Sequence, residues 1–170
     1  AAAVRFIQQL RSKAEDYYVA GFSAGGHLAS LWGTAALGAP KYGLPLPKGL
    51  LLGYPLISLT HIPEPLNSYF RKGLFGASVE SETADLYNAA GQMTQAYPPF
   101  YLVRAADDTT VSPQDSEDME TAARRCKVPH KTETASAGGH GFGPGTGTPL
   151  AGWLKRGMAF LDTTEDTAAK

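Results

Sequence analysis

A serine framed by glycines near the start of the chain carries the clearest chemical signal. Residues 21–27 read Gly-Phe-Ser-Ala-Gly-Gly-His, which matches the pattern G-x-S-x-G with Ser23 at its centre. In that pattern a tight turn between a strand and a helix lifts the serine hydroxyl out of the sheet towards a base, which makes it nucleophilic. We expect Gly21 and Gly25 to flank this turn because the backbone runs close to itself there and the serine is strained.

Two later segments supply a base and an acid for such a serine. The segment 138–143 reads Gly-Gly-His-Gly-Phe-Gly, and its glycines would let the loop that carries His140 approach the serine closely. Asp107 and Asp108 follow another apolar run, so either of them could be the acid. The imidazole would accept the serine proton and return it to the leaving group, while an aspartate on its other nitrogen would fix the tautomer.

The elements around Ser23 decide whether the motif is meaningful. With 19 glycines in 170 residues, a chance match to G-x-S-x-G has a probability of roughly one in ten. A strand must precede the turn and a helix must follow it. The run Tyr-Tyr-Val-Ala at 17–20 is rich in strand-forming residues, and apolar residues then recur at helical spacing at Leu28, Leu31, Trp32 and Ala35.

The rest of the chain alternates between strand and helix patterns. Strands are predicted at 16–22, 49–54, 100–103 and 130–134, the last of them nearer the sheet edge. Helices are predicted at 4–14, 24–36, about 113–126 and 150–161, with a frayed polar tail at 163–170. This order predicts an α/β fold with a mostly parallel sheet flanked by helices. Residues 57–95 are expected to form short helices and a candidate cap over the site.

Composition excludes several classes of protein. The length suits one domain over residues 1–170, and 43% apolar with 18% charged residues is typical of a globular chain. A net charge of −1 gives no footprint for nucleic acid or an anionic membrane, and the apolar runs are too short to span a bilayer. The single cysteine, Cys126, excludes an internal disulfide and leaves the compartment open, with the cytoplasm slightly favoured.

The other histidines fit structural roles. Four scattered histidines and one cysteine show no metal-ligand spacing, so no metal is expected. His27 is interpreted as a hydrogen-bonded packing residue on the helix after Ser23. His61 and His130 have no acid nearby in the sequence and are predicted to be surface or loop residues.

The three motifs resemble those of serine carboxylesterases of the α/β-hydrolase fold, the group that contains acetyl-esterase and acetylxylan-esterase-like enzymes. The resemblance rests on residues 21–30, 107–111 and 138–143 and on the order Ser, Asp, His. It implies that Ser23 is the nucleophile and His140 the base. It makes Asp108 the orienting acid, because the acid of this family usually stands three residues before a valine, here Val111, and it leaves Asp107 as the alternative.

The same resemblance implies the rest of the machinery. The backbone N–H of Ala24 would be an oxyanion donor, the substrate would be a small ester with an acetyl or other short acyl group, and no metal or organic cofactor would be required. In the family, several strands and a His-Gly-Gly-Gly-like loop, which donates the second oxyanion N–H, precede the tight turn around the serine, which is called the nucleophile elbow. We therefore expect this chain to be the C-terminal part of the fold, partnered by the missing N-terminal part or by a second chain.

Two consequences and two alternatives follow. Loss of one oxyanion donor removes about 2.7–4 kcal/mol of transition-state stabilisation, and the strand at 16–22 would be an exposed apolar edge.

One alternative function is that of a serine peptidase of the prolyl-oligopeptidase type, which shares the order of strands and helices. The other is a non-catalytic fragment or binding module derived from a hydrolase.

Overall fold

The chain folds around one parallel sheet. The computed structural model describes residues 1–9, 16–62, 64–76 and 81–168. Within these residues, four strands pair in the order β1-β2-β3-β4, and each pairing is parallel. They are β1 (Tyr18–Phe22), β2 (Gly49–Gly53), β3 (Phe100–Ala105) and β4 (His130–Ala135). The predicted α/β fold is confirmed, and each strand lies where the sequence placed one.

Helices connect the strands and cover both faces of the sheet. The α-helices are α1 (Ala2–Gln9), α2 (Ala24–Trp32), α3 (Leu66–Phe75), α4 (Ser81–Leu86), α5 (Pro113–Cys126) and α6 (Trp153–Ala168). Short 3₁₀ helices cover Ala39–Tyr42 and Leu59–His61. Helices α3 and α4 lie in the candidate cap region 57–95, whose role as a cap stays a prediction.

The sheet is buried because its central strands are apolar on both faces. Every residue of β2 is buried, as expected for a strand with neighbours on both sides and helices above and below. One core packs α2 and α5 against one face of the sheet and contains Leu50, Leu52, Phe100, Leu102, Met119 and Ala122. The second core packs α6 against the other face and contains Leu51, Tyr101, Val103, Trp153 and Leu161.

The terminal helices differ from their predicted bounds. The first helix was predicted at 4–14; α1 covers Ala2–Gln9, and positions 10–15 lie outside the described residues. The last helix continues to Ala168, so the prediction of a frayed tail is wrong for 163–168, and positions 169–170 lie outside the described residues. Apolar periodicity marks only the buried face of a helix, and a last turn of polar residues can continue the backbone hydrogen bonds of the helix without it. Thr163 and Thr164 donate their hydroxyls to the carbonyls of Phe160 and Leu161.

The strand register places four loops at one edge of the sheet. Phe22 of β1 aligns with Gly53 of β2, and Gly53 aligns with Val103 of β3. Ala105 of β3 aligns in turn with Ala135 of β4. The carboxyl ends of all four strands therefore open onto the same edge, where ligands bind in sheets of this kind.

The β1 side of the sheet carries an apolar groove. Among the described strands, β1 pairs only with β2. A groove of about 480 Å³ runs along β1 and α2 and includes Val19, Phe22, Leu28 and Trp32 in its lining. No helix in the described ranges is both long enough and apolar enough to cross a membrane.

Candidate active site

Ser23 occupies the sharp turn between β1 and α2. Its backbone has φ 53° and ψ −122°, a conformation that a non-glycine residue seldom adopts and that costs of order 1–3 kcal/mol. Both backbone polar groups of Ser23 are paired, which fixes the turn. Its N–H donates to the carbonyl of Gly53 at 3.0 Å, and its carbonyl accepts from the N–H of His27 and of Leu56.

Two glycines make this turn sterically accessible. A methyl group on Gly21 would lie 2.3 Å from the carbonyl oxygen of Gly25 and 2.6 Å from Cβ of Ala29. A methyl group on Gly26 would lie 2.6 Å from Cβ of Pro55. Glycine was expected to be sterically required at Gly25 as well, but a methyl group there would meet nothing within 4 Å. The close approach is to the backbone of Gly25, so Gly21 and Gly26 carry the steric requirement.

The structure brings Ser23, His140 and Asp108 together in one hydrogen-bonded chain. Ser23 Oγ lies 2.8 Å from His140 Nε2, and His140 Nδ1 lies 2.8 Å from Asp108 Oδ2. The Asp108 side chain is 6% exposed and that of His140 is 20% exposed. An ionised carboxylate can only accept, so Nδ1–H donates to Asp108 and Nε2 is left to accept the proton of the serine hydroxyl.

The second oxygen of Asp108 fixes the orientation of its carboxylate. Oδ1 accepts from the backbone N–H of Thr110 at 2.8 Å and of Val111 at 3.0 Å. These two donors come from the turn directly after Asp108, so the carboxylate is held by its own loop. Its other oxygen, Oδ2, is therefore held facing His140.

Asp107 binds the histidine loop and not the histidine ring. Its carboxylate accepts from the N–H of Gly139 at 2.8 Å and of Gly138 at 3.3 Å. The hydrogen bond from Gly139 is the main reason that the pKa of this exposed carboxyl is lowered from its ordinary value. Of the two candidate acids, Asp108 binds the ring of His140, whereas Asp107 binds the backbone of the loop that carries His140.

The histidine ring has an aromatic neighbour that was not predicted from the sequence. Tyr54, the first residue after β2, packs its ring 4.8 Å from the His140 ring and 4.5 Å from that of Phe142, centroid to centroid. Trp153 donates from Nε1 to the carbonyl of Gly143 at 2.9 Å. The available signal for Tyr54 was its place at the carboxyl end of a buried apolar strand.

Ala24 is the first residue of α2, directly after the serine. Its N–H is therefore among the first four of the helix, which have no acceptor within the helix. Donors at a helix N-terminus favour a negative charge, as an oxyanion donor requires. The role of Ala24 as an oxyanion donor stays a prediction.

His27 is a buried packing residue on α2, as the sequence indicated. Nε2 lies 2.7 Å from the carbonyl oxygen of Tyr87 and so donates to it. Burial lowers the pKa of the His27 imidazole because it disfavours the charged form, and the bond to Tyr87 opposes this only in part.

His61 has an acid partner that its sequence neighbours did not reveal. Nε2 of His61 lies 2.8 Å from Oδ2 of Asp118 on α5. Beside this pair, the fully buried Asp115 accepts from the N–H of Ile57 at 2.6 Å and of Ser58 at 2.8 Å. Burial raises the pKa of Asp115 despite these bonds. Within the described residues, no group of three or more His, Cys, Asp or Glu side chains could hold a metal ion.

Comparison with known proteins gives matches among solved structures. No family model and no curated protein matches the sequence. The acetyl ester-xyloside bifunctional hydrolase of Caldicellulosiruptor lactoaceticus superposes with a TM-score of 0.75 at 25% identity, over 98% of this chain and 63% of that chain. A carboxylesterase of Lactobacillus plantarum gives 0.68 at 26% identity, over 83% of this chain and 53% of that one. Esterase B of Lactobacillus rhamnosis gives 0.73 at 21% identity, over 99% and 62%. The chain therefore spans less than two thirds of the length of each of these proteins.

Proposed function

We infer that this chain, which has the α/β-hydrolase fold of the carboxylesterases that it resembles, belongs to a serine hydrolase that cleaves small carboxylic esters. The observation that carries the inference is the unbroken hydrogen-bonded chain from Ser23 through His140 to Asp108, with 2.8 Å at each step. Ser23 is the nucleophile, His140 the general base and Asp108 the acid that orients it.

The geometry supports a reaction in two stages. Nε2 of His140 takes the hydroxyl proton while Ser23 Oγ forms a bond to the ester carbonyl carbon, and Asp108 stabilises the imidazolium that results. His140 then passes this proton to the alcohol oxygen as the bond to the alcohol breaks, which leaves an acyl group on Ser23. Water then gives a proton to the same nitrogen as its oxygen attacks the acyl carbon, and His140 returns that proton to Ser23 Oγ as the bond to the acyl group breaks and the acid is released. None of these steps uses a cofactor.

The oxyanion of both stages needs hydrogen-bond donors. The N–H of Ala24 is one of them in this proposal. The second would come from polypeptide outside this chain, either an N-terminal part of the same fold or a second chain. The extent of the alignment supports this idea, since this chain covers 63% of the Caldicellulosiruptor hydrolase. Without the second donor, we expect kcat to be lower by about 10²–10³-fold.

Acetyl and other short acyl esters are the proposed substrates. The support is similarity, since one similar structure is described as an acetyl ester-xyloside hydrolase and another as a carboxylesterase. Substrate choice is therefore measured by comparing p-nitrophenyl acetate with p-nitrophenyl esters of longer acids.

Hydrolysis of p-nitrophenyl acetate by the wild-type protein and two serine variants tests the proposal. Ser23→Ala should abolish turnover. Ser30→Ala is the matched control, because Ser30 is a buried serine on the same helix whose hydroxyl donates to the carbonyl of His27. It should retain activity. An unchanged rate in Ser23→Ala would refute the assignment. Cleavage of a peptide p-nitroanilide by the wild-type protein that is lost in Ser23→Ala would favour the peptidase alternative.

A further inference from the structure

Tyr54 touches the histidine loop at two places. Its ring packs against the ring of His140 with an angle of 68° between the planes, a favourable arrangement for two aromatic rings. Its hydroxyl oxygen accepts from the N–H of Gly143 at 3.1 Å. The residue is 6% exposed, so both contacts are made in a setting where water competes little.

The backbone of Tyr54 is strained, which indicates that the side chain contributes. Its φ is 37°, a left-handed value that is an outlier for a bulky residue. Glycine would adopt this conformation at little cost, whereas strain of this kind costs about 1–3 kcal/mol in other residues. The tyrosine ring and hydroxyl must offset that cost through their contacts. The backbone N–H is also fixed, since it donates to the carbonyl of Val103 at 2.7 Å.

The loop that carries His140 needs such support because of its composition. Positive φ angles occur at a series of glycines on both sides of the histidine, Gly138, Gly139, Gly141, Gly143, Gly145 and Gly147. Glycine loses more conformational freedom on ordering than any other residue, so this segment has a weak intrinsic preference for one shape. Before the histidine, Asp107 holds the loop through two backbone N–H groups. After it, Tyr54 and Trp153 bind the N–H and the carbonyl of Gly143.

We propose that Tyr54 is a positioning residue, which holds His140 within reach of Ser23 through its ring and anchors the loop at Gly143 through its hydroxyl. The proposal rests on the function proposed above. It assigns Tyr54 no contact with substrate. A shift of about 1 Å in a catalytic group can lower a rate by about 10²-fold, so a side chain that sets the position of His140 acts on kcat and leaves substrate binding unchanged.

Two substitutions at Tyr54 separate the ring from the hydroxyl. Tyr54→Phe keeps the ring contact and removes the bond to Gly143, so we expect kcat to fall about 3–10-fold with KM unchanged. Tyr54→Leu removes both, and we expect a fall of about 10²-fold. Tyr97→Phe is the matched control, because Tyr97 is a buried tyrosine whose hydroxyl donates to the carbonyl of Ser30 at 2.7 Å, away from the histidine loop. Its kcat should stay within about twofold of wild type.

Amide hydrogen exchange tests the same inference without any catalysis. The N–H of Gly143 should exchange faster in Tyr54→Phe than in wild type and at the wild-type rate in Tyr97→Phe. Faster exchange together with the lower kcat supports the proposal. Equal kcat values in Tyr54→Phe, Tyr54→Leu and wild type would overturn it.

Wild-type controls separate this result from a failure of the proposed function. If a fluorophosphonate probe labels Ser23 of the wild-type protein and the Tyr54 variants react equally fast, the positioning role alone is wrong. If the probe leaves wild-type Ser23 unlabelled, the proposed function fails, and the role of Tyr54 fails with it.

Discussion

Replacing Asp108 by asparagine tests the orientation of the histidine with almost no change in size. Oδ1 of Asp108 accepts from the N–H of both Thr110 and Val111, so the asparagine carbonyl oxygen will occupy this position. The amide nitrogen then takes the place of Oδ2, which lies 2.8 Å from His140 Nδ1. Since that amide can only donate, Nδ1 must become the acceptor and the ring proton must move to Nε2.

The wrong tautomer removes general-base catalysis. A protonated Nε2 cannot accept the hydroxyl proton of Ser23 although the two atoms still lie 2.8 Å apart. We expect kcat to fall by about 10⁴-fold, which is the size of effect seen when the acid of such a triad becomes an amide. The fold should be unaffected, because the two backbone donors keep their acceptor.

Asp107→Asn is the matched control, since it makes the same chemical change at the neighbouring residue. Asp107 binds two loop amides, whereas the histidine ring binds Asp108. Its carbonyl oxygen can keep one of these two bonds. We expect a loss of less than about tenfold in kcat.

Hydrolysis of p-nitrophenyl acetate at saturating substrate measures both variants, and thermal unfolding shows that each is folded. We expect the larger loss of kcat in Asp108→Asn. Equal losses in the two variants, or a larger loss in Asp107→Asn, would refute the assignment of Asp108 as the acid.

Three further predictions concern stability. Gly21→Ala should lower the free energy of unfolding by about 3 kcal/mol, because the added methyl group would lie 2.3 Å from a backbone oxygen that cannot move aside. Gly25→Ala, whose methyl group meets nothing within 4 Å, should leave it unchanged or raise it by less than about 1 kcal/mol, as urea unfolding would show. Asp115→Ala leaves two buried backbone N–H groups without their acceptor and should lower the free energy of unfolding by about 3 kcal/mol in the same assay. Asp118→Ala should lower it by less than about 1 kcal/mol, because its partly exposed carboxylate binds the side chains of His61 and Gln114. A loss in Asp118→Ala as large as in Asp115→Ala would contradict this. The pKa of buried His27 is lowered in the folded chain, so the unfolded chain binds more protons than the folded chain as pH falls below about 6.5. The free energy of unfolding should therefore decrease on acidification through that range, and His27→Gln should make the decrease smaller; an identical pH dependence in the variant would show that His27 is not its source.

Much of this site was predictable because its signals are local in the sequence. The elbow motif needs a strand before it and a helix after it, and β1 and α2 supply them within a few residues of Ser23. The positions of Asp108 and His140 after strands were also readable from the sequence. Parallel strands end at one edge of a sheet, so residues that follow them meet there without any knowledge of their side-chain contacts.

The remainder depends on contacts between segments that are far apart in the chain. Nothing in the order of residues shows that the carboxylate of Asp107 reaches Gly139 or that the ring of Tyr54 reaches His140. The steric requirement at Gly26 is set by Pro55, which lies just after β2. Such contacts follow from the register of the sheet and the shape of its loops, which hydrophobic periodicity does not specify.

Trapping the acyl-enzyme tests the central claim most directly. The purified protein is mixed with p-nitrophenyl acetate, quenched with acid within a few turnovers, digested and mapped by mass spectrometry. We predict an acetyl group on Ser23 in the wild-type protein and none at that position in His140→Ala, because the hydroxyl then has no base within reach. Continued turnover of the ester with no acetyl group on Ser23, or equal acetylation of Ser23 in His140→Ala, would contradict the account.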